Sequence, residues 1–300
     1  MGSVGTKTDM TSNDPPAADG SPGRIHEFTH DSLTFDVLDD GPVDGPAVVL
    51  LHGFPERASH WAGVSAVLHE RGLRTLAPDQ RGYSPGARPR GRLAYRTSNL
   101  VGDVVALIER YGAPVHLVGH DWGGAVAWAT AAGRPDLVRT LTTVSVPHPA
   151  AFLKSFTSSD QARRSWYFLA FQPPFVVETL AKRAPQVMEG SLGKGGLSEA
   201  ELERFRHEIV EYGALPGALG WYRALPFSLR TRTGRVRVPT THVWSDRDPA
   251  LARRGAELTG DFVRAPYELV VLHGVNHWIP TQAPQALAEA VLARVRSDEG

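Results

Sequence analysis

The stretch Val118-Gly119-His120-Asp121-Trp122-Gly123-Gly124-Ala125-Val126-Ala127-Trp128 decides how the chain is read. Just before it, Val115, His116 and Leu117 lead an apolar run of strand length into Gly119. After it, an Ala-rich segment to residue 135 has helical spacing. Small residues flank Asp121 on both sides. A strand, a sharp small-x-nucleophile-x-small turn and a helix present one reactive side chain at the apex, and serine is the usual occupant. Here the occupant is a carboxylate.

The pattern around this motif repeats. Residues 47–53, 74–79, 115–120 and 140–147 are apolar runs that predict strands buried on both faces. Residues 60–72, 97–112 and 122–135 predict helices between them. The second has Thr97 or Ser98 as its expected N-cap and Gly112 as its stop. This alternation implies βαβ units and a mostly parallel sheet flanked by helices. Two earlier runs, 24–30 and 33–39, predict an antiparallel hairpin that opens the sheet. After Pro147 the rhythm breaks. Residues 148–235 carry no clear strand and hold helical pieces at 160–171 and 198–214. Strands resume at 241–246 and 267–274, followed by a last helix at 283–297. The expected organisation is a flexible tail (1–23), a first core part (24–147), a helical cap (148–235) and a second core part (236–300).

Composition sets bounds. The 300 residues carry 32 Lys plus Arg against 32 Asp plus Glu, so no nucleic-acid partner or anionic membrane is suggested by net charge. The absence of cysteine excludes thiol catalysis and disulfides. The polar N-terminal stretch lacks the apolar core of a signal peptide. The most apolar window, 165–180, is too short to span a bilayer and is interrupted by Pro173-Pro174. A soluble, cytoplasmic protein, monomeric or homodimeric, is expected. Twelve histidines are scattered without metal-ligand spacing, and phosphate loops and dinucleotide fingerprints are absent; no metal and no cofactor are expected.

Parallel strands deliver their C-terminal ends to one side of a sheet. Asp121 follows one strand, Asp246 and Asp248 follow another, and His277 follows the last. That is the order nucleophile, acid, histidine. The turn His52-Gly53-Phe54 offers the backbone N–H of Phe54, and Trp122 offers the second, for an oxyanion hole. A carboxylate gains little by attacking an ester or amide. It attacks a saturated carbon bearing a leaving group well, giving an alkyl-enzyme ester on Asp121. Water activated by His277 then cleaves that ester at the carbonyl of Asp121. An epoxide oxygen or a halide suits as leaving group.

His52-Gly53-Phe54-Pro55-Glu56 together with Gly119-His120-Asp121-Trp122-Gly123-Gly124 resembles the epoxide hydrolases of the α/β-hydrolase fold, and the resemblance runs from about residue 24 to the C-terminus. It implies that Asp248, followed by Pro249, is the triad acid. It also implies two cap tyrosines that protonate the epoxide oxygen: Tyr167 in WYFLAFQPP and Tyr222 in GALGWYRAL. Trp122, Phe54 and Pro55 are expected to line the substrate site. Ala170 stands where many members carry a further tyrosine, and RGYSPGARP lacks an expected small residue after Tyr83-Ser84. His120 and His273 are expected to be packed or supporting residues. Glu56 supports the site or is a solvated loop charge. The expected function is hydrolysis of a small-molecule epoxide to a vicinal diol. One rival is a haloalkane dehalogenase, against which Phe54 stands where an asparagine would be wanted. Another is a fluoroacetate dehalogenase, for which Trp122 replaces an expected arginine. A third is a non-catalytic binding protein on the same scaffold.

Overall fold

The computed structural model describes residues 23–228 and 233–299. Most of the expected tail and a few residues of the expected cap lie outside the described residues. One eight-stranded sheet organises the rest, in the order β1-β2-β4-β3-β5-β6-β7-β8. β1 (Glu27–His30) and β2 (Leu33–Asp40) form the expected antiparallel hairpin, and β2 also runs antiparallel to β4 (Arg74–Pro78). From β4 onward, β3 (Ala47–Leu51), β5 (Val115–His120), β6 (Val138–Val144), β7 (Thr240–Ser245) and β8 (Tyr267–Leu272) pair in parallel. β3, β4 and β5 are buried along their whole length, which is why they read as unbroken apolar runs.

Helices α1 (Ala62–Glu70), α2 (Thr97–Tyr111) and α3 (Trp122–Gly133) connect these strands. Gly112 ends α2 as expected, in the left-handed region at φ +90°. The start of α2 differs from expectation. Arg96 holds the cap position without a side-chain bond, and the N–H of Thr97 is satisfied by Ser228 Oγ at 3.1 Å. A partner distant in sequence has replaced the local cap.

Between β6 and β7 the chain leaves the sheet for a helical excursion. Its elements are α4 (Pro149–Ser158), α5 (Gln161–Arg164), α6 (Tyr167–Ala170), α7 (Val176–Arg183), α8 (Pro185–Lys194), α9 (Glu199–Arg204) and α10 (Leu215–Ser228). The expected helix at 160–171 is two short helices broken at Ser165, and α9 passes into a π-helical stretch, Phe205–Glu211. Then α11 (Arg253–Thr259), α12 (Ile279–Gln282) and α13 (Pro284–Glu299) complete the chain. Among the described residues, no helix is long and apolar enough to cross a membrane.

The sheet order explains where a site must form. The chain goes from β3 to β4 on one side, then returns to β5 on the other. The C-terminal ends of β3 and β5 therefore bracket a topological switch point, where crevices open in α/β sheets.

Candidate active site

The loop after β3 and the turn after β5 meet at that switch point. Asp121 sits at φ +50°, ψ −121°, a region that non-glycine residues seldom occupy. The strain is held by close backbone packing. A Cβ on Gly53 would lie 2.6 Å from Asp121 Oδ1, one on Gly119 2.6 Å from the Gly123 carbonyl carbon, and one on Gly123 2.5 Å from His52 O. The N–H of Phe54 donates to Asp121 Oδ1 at 2.8 Å. Trp122 is the first residue of α3, so its N–H is among those that a helix leaves without an intrahelical partner. The His52 turn is fixed by Gln80, whose backbone N–H donates to His52 Nε2 at 3.1 Å and whose side chain donates to His52 O.

His277 reaches the site from the loop after β8. Its Nε2 lies 3.7 Å from Asp121 Oδ2 and its Nδ1 2.8 Å from Asp248 Oδ2. The other oxygen of Asp248 accepts the N–H groups of Ala250 and Leu251 at 2.8 and 2.9 Å. Asp246 takes another place: it is bonded to His273 and to the N–H of Gly274 at the surface. His273 is therefore exposed rather than packed, because β8 ends one residue before it.

Charge is concentrated in this small volume. Burial alone would push His277 down, but Asp248 and Asp121 on either side raise it to about 10. Burial would push Asp121 up, but His277, His120 and the Phe54 N–H hold its carboxyl below the usual range. The imidazole of His277 thus stands between the carboxyl groups of Asp121 and Asp248.

Tyr222, from α10, packs edge-on against Trp122 and Phe54, with ring centroids 5.0 and 5.2 Å away. Tyr167, at the start of α6, lies 5.9 Å from Tyr222, centroid to centroid. Burial and then the Asp121 charge push both phenols well above their ordinary value, so both keep their protons. The Trp221-Tyr222-Arg223 run has three anchors. Trp221 Nε1 donates to Arg81 O at 2.7 Å, Gln172 donates to Tyr222 O at 2.9 Å, and Arg223 pairs with Glu178 while donating to Phe171 O and Pro173 O. Pro55 follows Phe54 through a cis peptide and borders a separate small cavity with Glu56, His60 and Arg204.

Glu56 is buried, not solvated. It bonds His60 Nδ1, and its carboxylate lies 3.6 Å from both His120 Nδ1 and Arg204. Burial opposes its charge, but the two histidines hold it well below the usual range. These three residues are the one cluster of metal-type donors among those described, and Arg204 already brings a positive charge to it. His120 in turn bonds His277 O at 3.0 Å, beside Ser145 Oγ at 3.1 Å.

Several supporting residues escape a reading of the sequence. Ser145, at φ +66°, and Ser245 tie down the His277 loop through the carbonyls of His277 and Asn276. Gly195 and Gly196, far away in the excursion, accept from Trp278 Nε1 and Asn276 Nδ2 on either side of His277. Serines ending strands and a Gly-Gly pair carry no local signal of such a role.

Comparison with known proteins identifies the family. The model of the alpha/beta hydrolase family matches residues 48–290. The chain is 32% identical over 274 residues to the AB hydrolase superfamily protein YfhM of Bacillus subtilis, covering 88% of this chain and 95% of that one. It is 30% identical over 296 residues to epoxide hydrolase 3 of Xenopus tropicalis, covering 94% and 80%. Among solved structures, epoxide hydrolase A from Mycobacterium thermoresistibile superposes with a TM-score of 0.78 at 25% identity, covering 90% and 97%. Potato epoxide hydrolase I does so with a TM-score of 0.76 at 25% identity, covering 90% and 98%. The protein belongs to the alpha/beta hydrolase family, as a member similar to its epoxide hydrolases.

Proposed function

We propose that the protein hydrolyses an epoxide to a vicinal diol, with Asp121 as nucleophile, His277 as base and Asp248 as its orienting acid. The observation that carries this reading is His277 held between Asp121 and Asp248, beneath two protonated tyrosines. A carboxylate oxygen of Asp121 attacks an epoxide carbon. The C–O bond breaks, and a proton from Tyr167 or Tyr222 neutralises the leaving oxygen. Asp121 is then a neutral ester, and His277 has lost one of the two charges that held its proton. That proton passes to the tyrosinate, which leaves a neutral imidazole facing the ester.

His277 now takes a proton from water, whose oxygen attacks the Asp121 carbonyl carbon. The N–H groups of Phe54 and Trp122 hold the resulting oxyanion, a type of contact worth about 10²–10³ in rate. Collapse frees the diol and restores the carboxylate. The nucleophile supplies its own carbonyl to the oxyanion hole, which explains why a serine-type turn accommodates an aspartate. The substrate is a small apolar epoxide, since Phe54, Trp122, Phe168 and Phe171 surround Tyr222.

A brief pulse of styrene oxide with His277→Gln, followed by mass spectrometry, tests the scheme. The expected result is an alkyl ester on the peptide containing Asp121. Unmodified peptide alongside continued diol formation would overturn it. Halide release from a chloroalkane without diol formation from styrene oxide would shift the assignment to a dehalogenase. Phe54, which stands where a halide would want an asparagine side chain, argues against that outcome.

A further inference from the structure

The apolar window 165–180 does more than roof the active site. Its inner face is Tyr167, Phe168 and Phe171, whose rings pack on Tyr222 at 5.9, 5.5 and 4.9 Å. Its outer face is also apolar. Trp166 is 63% exposed, Leu169 78%, Phe175 76% and Val176 57%. Trp166 and Leu169 are one helical turn apart, since the Leu169 N–H donates to Trp166 O. A segment that is apolar all round is ordinarily buried on both sides, and this one is buried on one.

Charge around the patch is net positive. Residues 149–183 hold five cations against two acids. Asp160 is paired with Arg163 and Arg164, and Glu178 with the buried Arg223. Lys182 and Arg183 are exposed at the end of α7, and the Arg163 side chain is 85% exposed. Along α7, Val176, Thr179 and Arg183 follow each other on one face. The face thus begins apolar and ends cationic.

We propose that this roof docks on an anionic lipid surface, with Trp166, Leu169, Phe175 and Val176 entering the interface and Arg163, Lys182 and Arg183 meeting the headgroups. Trp and Phe beside a basic rim are the composition that interfacial segments use. Each cation near such a surface favours the bound state by about fivefold in partitioning. A second copy fits the patch less well, because a two-fold contact would bring two net-positive patches together. The zero net charge of the whole chain conceals this local excess. Docking places the roof of the site against the apolar phase. A bilayer-dissolved substrate is then held close to the site beneath the roof; that part rests on the epoxide reading, whereas the docking does not.

Co-sedimentation with vesicles tests the docking without using activity. The full chain is mixed with phosphatidylcholine vesicles, with and without about one-third phosphatidylglycerol. The expected result is sedimentation with the anionic vesicles, lost in high salt and on pure phosphatidylcholine. Lys182→Gln with Arg183→Gln lowers binding by about fivefold for each charge removed. Trp166→Ser with Leu169→Ser and Phe175→Ser returns the protein to the supernatant with an unchanged far-UV spectrum. Should that triple variant misfold, the charge variant and the salt arm still decide. Wild-type protein left in the supernatant, or charge variants that bind as well as wild type, would overturn the proposal. So would a dimer in solution that the patch substitutions split, with no vesicle binding.

Discussion

At the residue scale, the behaviour of His277 follows from what stands on either side of it. Its folded-state pKa, raised to about 10, lies above the ordinary 6.5. Protonation therefore stabilises the fold fully below about pH 6.5, and that contribution is lost as pH rises through about 10. Asp121→Asn removes one of the two charges, so the imidazole should titrate at a distinctly lower pH than in the wild type. Proton-detected NMR of the histidine ring measures this directly; an unchanged titration would mean that Asp248 alone sets the value. The residue types at these positions were legible from the chain, because apex, loop acid and late histidine each follow a strand. Separating Asp248 from Asp246 on residue grounds alone was not possible. Both are carboxylates in one loop, and only the fold shows that Asp248 is turned inward while Asp246 meets His273 at the surface.

Elements place these side chains through backbone contacts too close for any side chain. The turn at Gly195-Gly196 is the clearest case, with Gly196 at φ +96° and its absent Cβ 3.0 Å from Asn276 Cγ. Gly196→Ala should push Asn276 away and loosen the loop that carries His277, at a stability cost of about 1–3 kcal/mol. Single-turnover kinetics should show ester hydrolysis slowed more than ester formation, since the second step depends on His277. Equal slowing of both steps would count against this linkage. Periodicity identified the strands and α2 well, because buried parallel strands and an amphipathic helix each leave a regular pattern. It misjudged the start of α2 and the unity of residues 160–171. At the first a distant partner decides, since Ser228 Oγ accepts the Thr97 N–H; at the second the chain turns at Ser165, just after α5, whose Gln161 side chain is tied to Ala250 O and Ala252 N.

For the whole molecule, the excursion and the sheet are joined at specific hydrogen bonds. Trp221 Nε1 to Arg81 O is a buried one, 2.7 Å long, that fixes α10 and with it Tyr222. Trp221→Phe leaves that carbonyl unpaired at a cost of about 1–3 kcal/mol. Thermal unfolding should show the loss, and turnover of an epoxide should fall with it as Tyr222 loses its support. A variant as stable and as active as the wild type would show that packing alone holds α10. The break in strand rhythm after Pro147 announced the excursion, but nothing in the chain indicated which of its residues would grip the sheet, since those bonds join positions from 80 to 140 residues apart.

The two strands that bound this excursion are direct neighbours, with Thr142 paired to Thr241. Because the pair is parallel, the excursion leaves at the C-terminal end of β6 and re-enters at the N-terminal end of β7, about 10 Å back along the strands and one inter-strand spacing across. Endpoints on two neighbouring strands make the segment a natural unit of exchange. Chimeras that graft a relative's insertion between β6 and β7 need to reproduce only two short junctions and the partners of Arg81, Asn276 and Trp278. Asp121, His277, Asp248 and the N–H groups of Phe54 and Trp122 all stay with the recipient.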